Sequence, residues 1–158
     1  MKRNVVKTTL VIISVVTLWM GLASAARADD NGRCSTATVA GNWGLTLNGV
    51  LILPTGPVPA AAVLRATADV EGNITGTEAR NVGGGYADET FTAKWIVNPD
   101  CTASATVSFY ESGQLVRISA VTIVFDDNSK GVRMVQKSLT LPDGTELPVV
   151  VTVEGRKQ

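Results

Sequence analysis

Glu78 and Arg80 stand two residues apart, in phase with Ile74, Gly76 and Val82, so on a strand all five side chains share one face. Turned into an apolar interior, a carboxylate beside a guanidinium would orient a polar ligand head or move a proton. The usual placement of such a pair is the outer, solvated face, and that is the expected one. Other routes to chemistry are thin. The chain has no histidine, which removes the ordinary general base near neutral pH and every triad built on it. Tyr86 and Tyr110 would serve an oxyanion, but both fall near turns and read as rim residues. Asp126-Asp127-Asn128-Ser129 gathers oxygen ligands without the spacing or distal glutamate of a calcium loop, so a solvated turn is expected and no metal site. Gly83-Gly84-Gly85 lacks the following Gly-Lys of a phosphate loop. The sequon Asn73-Ile74-Thr75 sits in a tight hairpin and reads as silent.

The first 28 residues belong to targeting. Lys2, Arg3 and Lys7 lead an apolar run from Leu10 to Leu22, and Ala26-Arg27-Ala28 precedes Asp29-Asp30, the pattern of a secretory signal peptide cleaved near Ala28. The apolar run is short of the ~20 residues of a spanning helix, and the residue directly after the cleavage point is Asp29, not the cysteine of a lipid anchor. An exported mature chain, periplasmic or extracellular and without a membrane anchor, is expected. Of 14 basic and 14 acidic residues, cleavage takes Lys2, Arg3, Lys7 and Arg27, leaving 10 against 14 and a formal charge of −4. That balance argues against nucleic acid as a partner, which needs clustered Lys and Arg.

Cys34 and Cys101 are the two cysteines, and in an oxidising compartment they most simply form one disulfide. Two free thiols, a redox pair and a metal site are weaker alternatives. The bond would tie an N-terminal arm, residues 29–38, to a domain over residues 39–158.

From Val39 onward the chain reads as short strands between turn signals, with no helix. Gly41 to Leu47 alternates, and Asn48-Gly49 marks either a hairpin or a bulge in one long strand. Pro54, Gly56, Pro57 and Pro59 predict a loop. Ala61 to Val70 and Ile74 to Val82 form a hairpin about Glu71-Gly72-Asn73, and Gly83-Gly84-Gly85 predicts a flexible loop. Phe91, Ala93, Trp95 and Val97 alternate with Thr92, Lys94 and Ile96, and Asn98-Pro99-Asp100 turns the chain at Cys101. Strands then follow over 103–110, 115–125, 132–141 and 146–154. Links this short forbid parallel neighbours, which need crossovers of a dozen residues. The expected fold is all-β: one antiparallel up-and-down meander barrel of about eight strands, a two-sheet β-sandwich being the alternative.

Inward faces set the functional expectation. Ala62, Leu64, Ala66, Ala68 and Val70 share a face, as do Phe91, Ala93 and Trp95, and Ala103, Ala105, Val107 and Phe109. An eight-stranded lumen is filled by side chains or holds one small ligand; its many alanines leave both open. Trp43, Leu64, Phe91, Trp95 and Phe109 are the expected contact surface, and Glu78 and Arg80 are the candidate polar anchor if their face turns inward.

Gly41-Asn42-Trp43 resembles the G-x-W element of lipocalins and other calycins, in which the tryptophan closes one end of the barrel and a basic residue of the last strand lies over it. The resemblance assigns that part to Arg156. More widely, Ala68-Asp69-Val70-Glu71-Gly72-Asn73-Ile74-Thr75-Gly76 and the Val97-Asn98-Pro99-Asp100-Cys101-Thr102 turn resemble a group of small secreted bacterial proteins of unknown function, similar in architecture to calycin or allene-oxide-cyclase barrels. That likeness implies a fold and a compartment and transfers no catalytic residue or cofactor. Three functions remain as expectations: a non-enzymatic carrier of a small apolar ligand, an envelope or extracellular interaction module with a solid core, and a cyclase or isomerase. No protein partner is indicated.

Overall fold

A computed structural model describes residues 34–126 and 128–158, so the signal-peptide segment and the first residues of the arm lie outside the described residues. The strands are β1 (Gly41–Leu53), β2 (Gly56–Ala68), β3 (Asn73–Val82), β4 (Gly85–Val97), β5 (Thr102–Glu111), β6 (Gln114–Asp126), β7 (Gly131–Thr140), β8 (Glu146–Leu147) and β9 (Val149–Lys157). Each pairs antiparallel with its neighbour from β1 to β7. β9 then lies between β7 and β1 and closes an eight-stranded barrel, while β8 adds two residues to the end of β7. Closure removes the open edges that an exposed sheet would offer.

Several elements are longer than their sequence signals. β1 runs through Asn48 and Gly49 in unbroken register with both neighbours. Gly49 is needed there because a Cβ would lie 2.3 Å from the Val150 carbonyl oxygen. The proline-rich stretch, expected as a loop, is the start of β2, and the turn shrinks to Pro54 and Thr55. Gly83 donates to the Pro59 carbonyl, so the main chain of Pro59, and of Pro57 two residues earlier, faces the β3 side. Their missing N–H groups fall beyond the last β2–β3 pair, Ala60↔Val82, and no bond to β1 is lost. Val70, expected on the inner face, sits past the end of β2 in the next turn and is exposed.

Gly83 and Gly84 take φ values of +59° and +94° and make a tight two-residue hairpin, with Gly85 already in β4. That replaces the longer loop expected there. The last expected strand is interrupted at Pro148, whose carbonyl accepts from Ile52 N, leaving β8 and β9 as separate pieces.

The disulfide joins Cys34 to Cys101, with Cα atoms 4.9 Å apart. Between Cys34 and β1 lies a single helical turn that the strand pattern did not announce, α1 (Thr36–Val39), capped by Ser35, whose side chain accepts from Thr38 N. Val39 is fully buried. Its carbonyl receives the Trp43 indole N–H at 3.0 Å, and Trp43 packs edge-on against Trp95 and tilted against Phe125. α1 therefore closes the lower end of the barrel. The Asn98–Cys101 turn fixes the other half of the bond. Asp100 accepts from the amide and hydroxyl of Thr102, Cys101 N donates to Asn98 O, and Cys101 adopts a left-handed φ of +67°. Chain-entropy arguments put a loop of 67 residues at about 4 kcal/mol of stabilisation. Cys101→Ser is expected to lower stability by about that amount in oxidised samples; denaturant midpoints unchanged from the wild type would show that the bond contributes nothing.

Candidate functional site

Alternation along the strands directs one residue in two into the barrel, and the inward set divides into three levels. The lowest is apolar. Trp43 and Leu45 from β1, Leu64 and Ala66 from β2, Phe91, Ala93 and Trp95 from β4, Ala105, Val107 and Phe109 from β5, Ile123 from β6 and Met134 from β7 surround a cavity of about 80 Å³. Gly76, opposite Phe91 in the β3–β4 register, has no side chain because the Phe91 ring occupies that space. Phe91 and Phe109 pack with centroids 5.6 Å apart.

Above this chamber lies a belt of charge. Glu78 on β3 and Glu89 on β4 face each other directly in the register, and both are buried. Like charges so placed repel across a sheet, and Arg117 on β6 offsets it. One terminal nitrogen of Arg117 donates to Glu78 and the other to Glu89. Its guanidinium lies 3.8 Å from the centroid of Phe109, its register partner on β5. Arg80 donates its Nε to the second Glu89 oxygen at 2.5 Å. Two carboxylates and two guanidiniums thus share one layer. Gln136, at the bulge where β7 slips against β6, completes the belt by donating to Ser119 Oγ at 2.9 Å and to Ser138 O at 3.0 Å.

The third level is a second cavity of about 190 Å³, walled by aliphatic side chains including Leu51, Val82, Val116, Leu139, Leu147 and Val149, with Glu78, Arg80, Arg117 and Gln136 among its lining. Leu47, Arg117 and Gln136 line both cavities, so the belt is the partition between them.

Trp43, Leu64, Phe91, Trp95 and Phe109 therefore meet around the lower chamber, and Glu78 and Arg80 stand at the upper one. The expectation that Glu78 and Arg80 face outward is overturned. Ile74 and Gly76 share their phase and meet the core, and Arg117 and Glu89 supply the countercharges that make burial tolerable. Arg156 is corrected too: Lys157 lies opposite Trp43 in the β1–β9 register, and its Nζ donates to the Thr38 carbonyl beneath the barrel. Tyr86 is exposed and donates to Asp88, and Tyr110 lines a groove on the outer wall. Asp126 binds the Arg133 guanidinium. Glu89, Arg117, Ser119 and Gln136 were missed. Glu89 had a signal, being in phase with Phe91, Ala93 and Trp95, and Arg117 shares its parity with Val121, Ile123 and Phe125.

Burial pushes the Glu78 carboxyl above its ordinary value of 4.5; the charge and hydrogen bond of Arg117 oppose this, and the neighbouring charge of Glu89 adds to it. Glu78 thus holds its proton to a higher pH than an exposed glutamate does. Neither a protein-family model nor a curated protein matches the sequence. The fold and site define a closed antiparallel barrel with an amphipathic, two-chambered lumen.

Two outcomes check the belt. Arg117→Met leaves the opposed carboxylates without their shared cation and is expected to cost about 3–5 kcal/mol, read from denaturant unfolding. Between pH 4.5 and the raised value of Glu78, the folded protein keeps a proton that the unfolded chain has released, so stability falls as pH rises through that window. In melting curves from about pH 4 to about pH 8, Glu78→Gln is expected to flatten this decline; an unchanged slope would place its origin in another group.

Proposed function

We propose that this is an exported, non-enzymatic β-barrel protein that binds a small, largely apolar molecule in its lumen. The observation that carries the reading is the unfilled interior. Aromatic and aliphatic walls enclose two adjoining cavities of about 80 and 190 Å³ where a solid core would be packed shut. A few polar groups set in an apolar pocket are the usual composition of a small-molecule site. Export is supported by the leader over residues 1–28 and by the oxidised cysteine pair. The resemblance to calycin-like barrels is supported by Trp43 at the closed end with the basic Lys157 opposite it, and by the meander closed at eight strands.

A cyclase or isomerase is the second reading, and one observation favours it: a buried carboxyl of raised proton affinity, Glu78, borders the upper cavity. Such a group, fixed by Arg117, would act on a substrate held beside it. The interaction-module reading draws its support from the outer wall, where Ile96, Val63 and Val150 are exposed.

The test is native mass spectrometry of the protein purified from an exporting host, followed by extraction and identification of bound small molecules. One apolar molecule per barrel is the expected result. A barrel that is empty and also ignores hydrophobic fluorescent probes would refute lumen binding. Ala105→Trp, which fills the lower chamber, is expected to weaken probe binding by about tenfold or more, equivalent to about 1.4 kcal/mol.

A further inference from the structure

Arg80 is only partly engaged by the belt. Its Nε donates to the carboxylate of Glu89, whose side chain is fully buried, so the guanidinium lies inside the barrel. Its two terminal nitrogens, Nη1 and Nη2, have no hydrogen-bond partner among the described residues, whereas those of Arg117 are taken by Glu78 and Glu89. They are also open to solvent. Among the described residues the Trp95 indole nitrogen is the one fully enclosed side-chain polar atom without a partner, and the Arg80 side chain is 25% exposed against 14% for Arg117.

Position decides what reaches them. Arg117 borders both chambers, but Arg80 borders the upper one alone. Its register partners are Ala62 on β2 and Ala87 on β4, too small to cover a guanidinium from either side. Around it the wall is aliphatic, with Leu51, Val82, Leu139 and Leu147. At a packing density of about 0.74, the space of about 190 Å³ takes about 140 Å³ of van der Waals volume, a chain of about six carbons with its head group. The charge of the layer admits an anion. Arg117, Glu89 and Arg80 are the charged groups facing Glu78, whose partner on β2 is Leu64, and burial raises its proton affinity. Where Glu78 keeps its proton, two guanidiniums face one carboxylate, and a second carboxylate restores the balance.

We infer that the upper chamber takes an aliphatic monocarboxylate of about six carbons, whose two oxygens accept from the free Nη1 and Nη2 of Arg80 while its chain lies against Leu51, Val82, Leu139 and Leu147. This rests on the lumen being a binding site and adds the head-group chemistry and its anchor. The planar fork of a guanidinium matches the geometry of a carboxylate and distinguishes it from a neutral group of the same shape.

The experiment titrates the oxidised protein calorimetrically with hexanoate and with hexanamide, which has nearly the same shape and no charge, at about pH 6, where hexanoate is ionised. Hexanoate is expected to bind at least about tenfold more tightly than hexanamide and to shift the assigned guanidinium resonances of Arg80. Arg80→Met keeps the length of the side chain and removes the donors, and is expected to abolish the preference while hexanamide still binds. The comparison in the wild type stands whether or not that variant folds. Equal affinities, or tighter binding of hexanamide, would overturn the carboxylate inference and leave the apolar lumen standing. A preference for hexanoate that survives Arg80→Met, or that comes without an Arg80 shift, would place the anion on another cation and equally overturn it. If neither molecule binds while hydrophobic fluorescent probes do, the carboxylate inference fails and the lumen stands; if the probes are excluded as well, both fail together.

Discussion

Arg117 holds two buried glutamates that face each other across neighbouring strands, and the middle of the barrel depends on it. Without that guanidinium, Glu78 and Glu89 would be like charges at paired positions in an interior of low dielectric. With it, the belt becomes a neutral layer, since Arg80 matches the remaining charge. The Phe109 ring beneath the guanidinium fixes its plane. Four strands thereby meet at one level: β3 and β4 supply the acids, β6 the cation and β5 the aromatic support. Such a layer is costly compared with leucines of similar volume, so its presence argues for a role that packing does not explain.

The same belt gives the lumen its division. Below it the residues are aromatic and small, closed from beneath by α1 and the Cys34–Cys101 bond. Above it the walls are aliphatic and lead toward the Pro54, Gly83 and Ser112 hairpins. The lower end is held by covalent and backbone constraints that act together. Val39 is both a core residue and the acceptor for Trp43, Lys157 anchors the carbonyl of Thr38, and the Thr36 hydroxyl accepts from Val97 N. Rigidity is thus concentrated at the closed end, where the aromatic cluster lies, and the upper chamber is bounded by hairpins.

Much of the architecture could be read before any coordinates because it rests on local signals. Short turn sequences force antiparallel neighbours, alternation marks strand faces, and the two cysteines pair with one another. What escaped depends on partners distant in the chain. Pro57 and Pro59 look like strand breakers until the β2–β3 ladder is seen to end at Ala60↔Val82, before it reaches either of them. Glu78 looks solvated when considered by itself, because the countercharge that lets it turn inward lies on Arg117, on a strand three places away. Its own parity with Ile74 and Gly76 pointed inward, and general expectation about charged residues outweighed that evidence. Gln136 depends on a slip in the β6–β7 register, which no residue pattern in β7 announces. The single turn of α1 is too short for any periodicity to reveal it.

The interior also shows how its space is held open. A lumen evolved solely for stability would replace its alanines with larger side chains, because each vacant methylene forfeits both burial and dispersion contacts. Ala62, Ala66, Ala93 and Ala105 do the opposite: they hold the walls apart around spaces bordered by the large rings of Trp43, Trp95, Phe91 and Phe109. The polar groups are equally selective. Those of the belt are matched to one another across β3, β4 and β6. Because the charges of the partition are already paired with one another, the lower space offers an ion no free counterion, and its walls are otherwise rings and small aliphatic side chains.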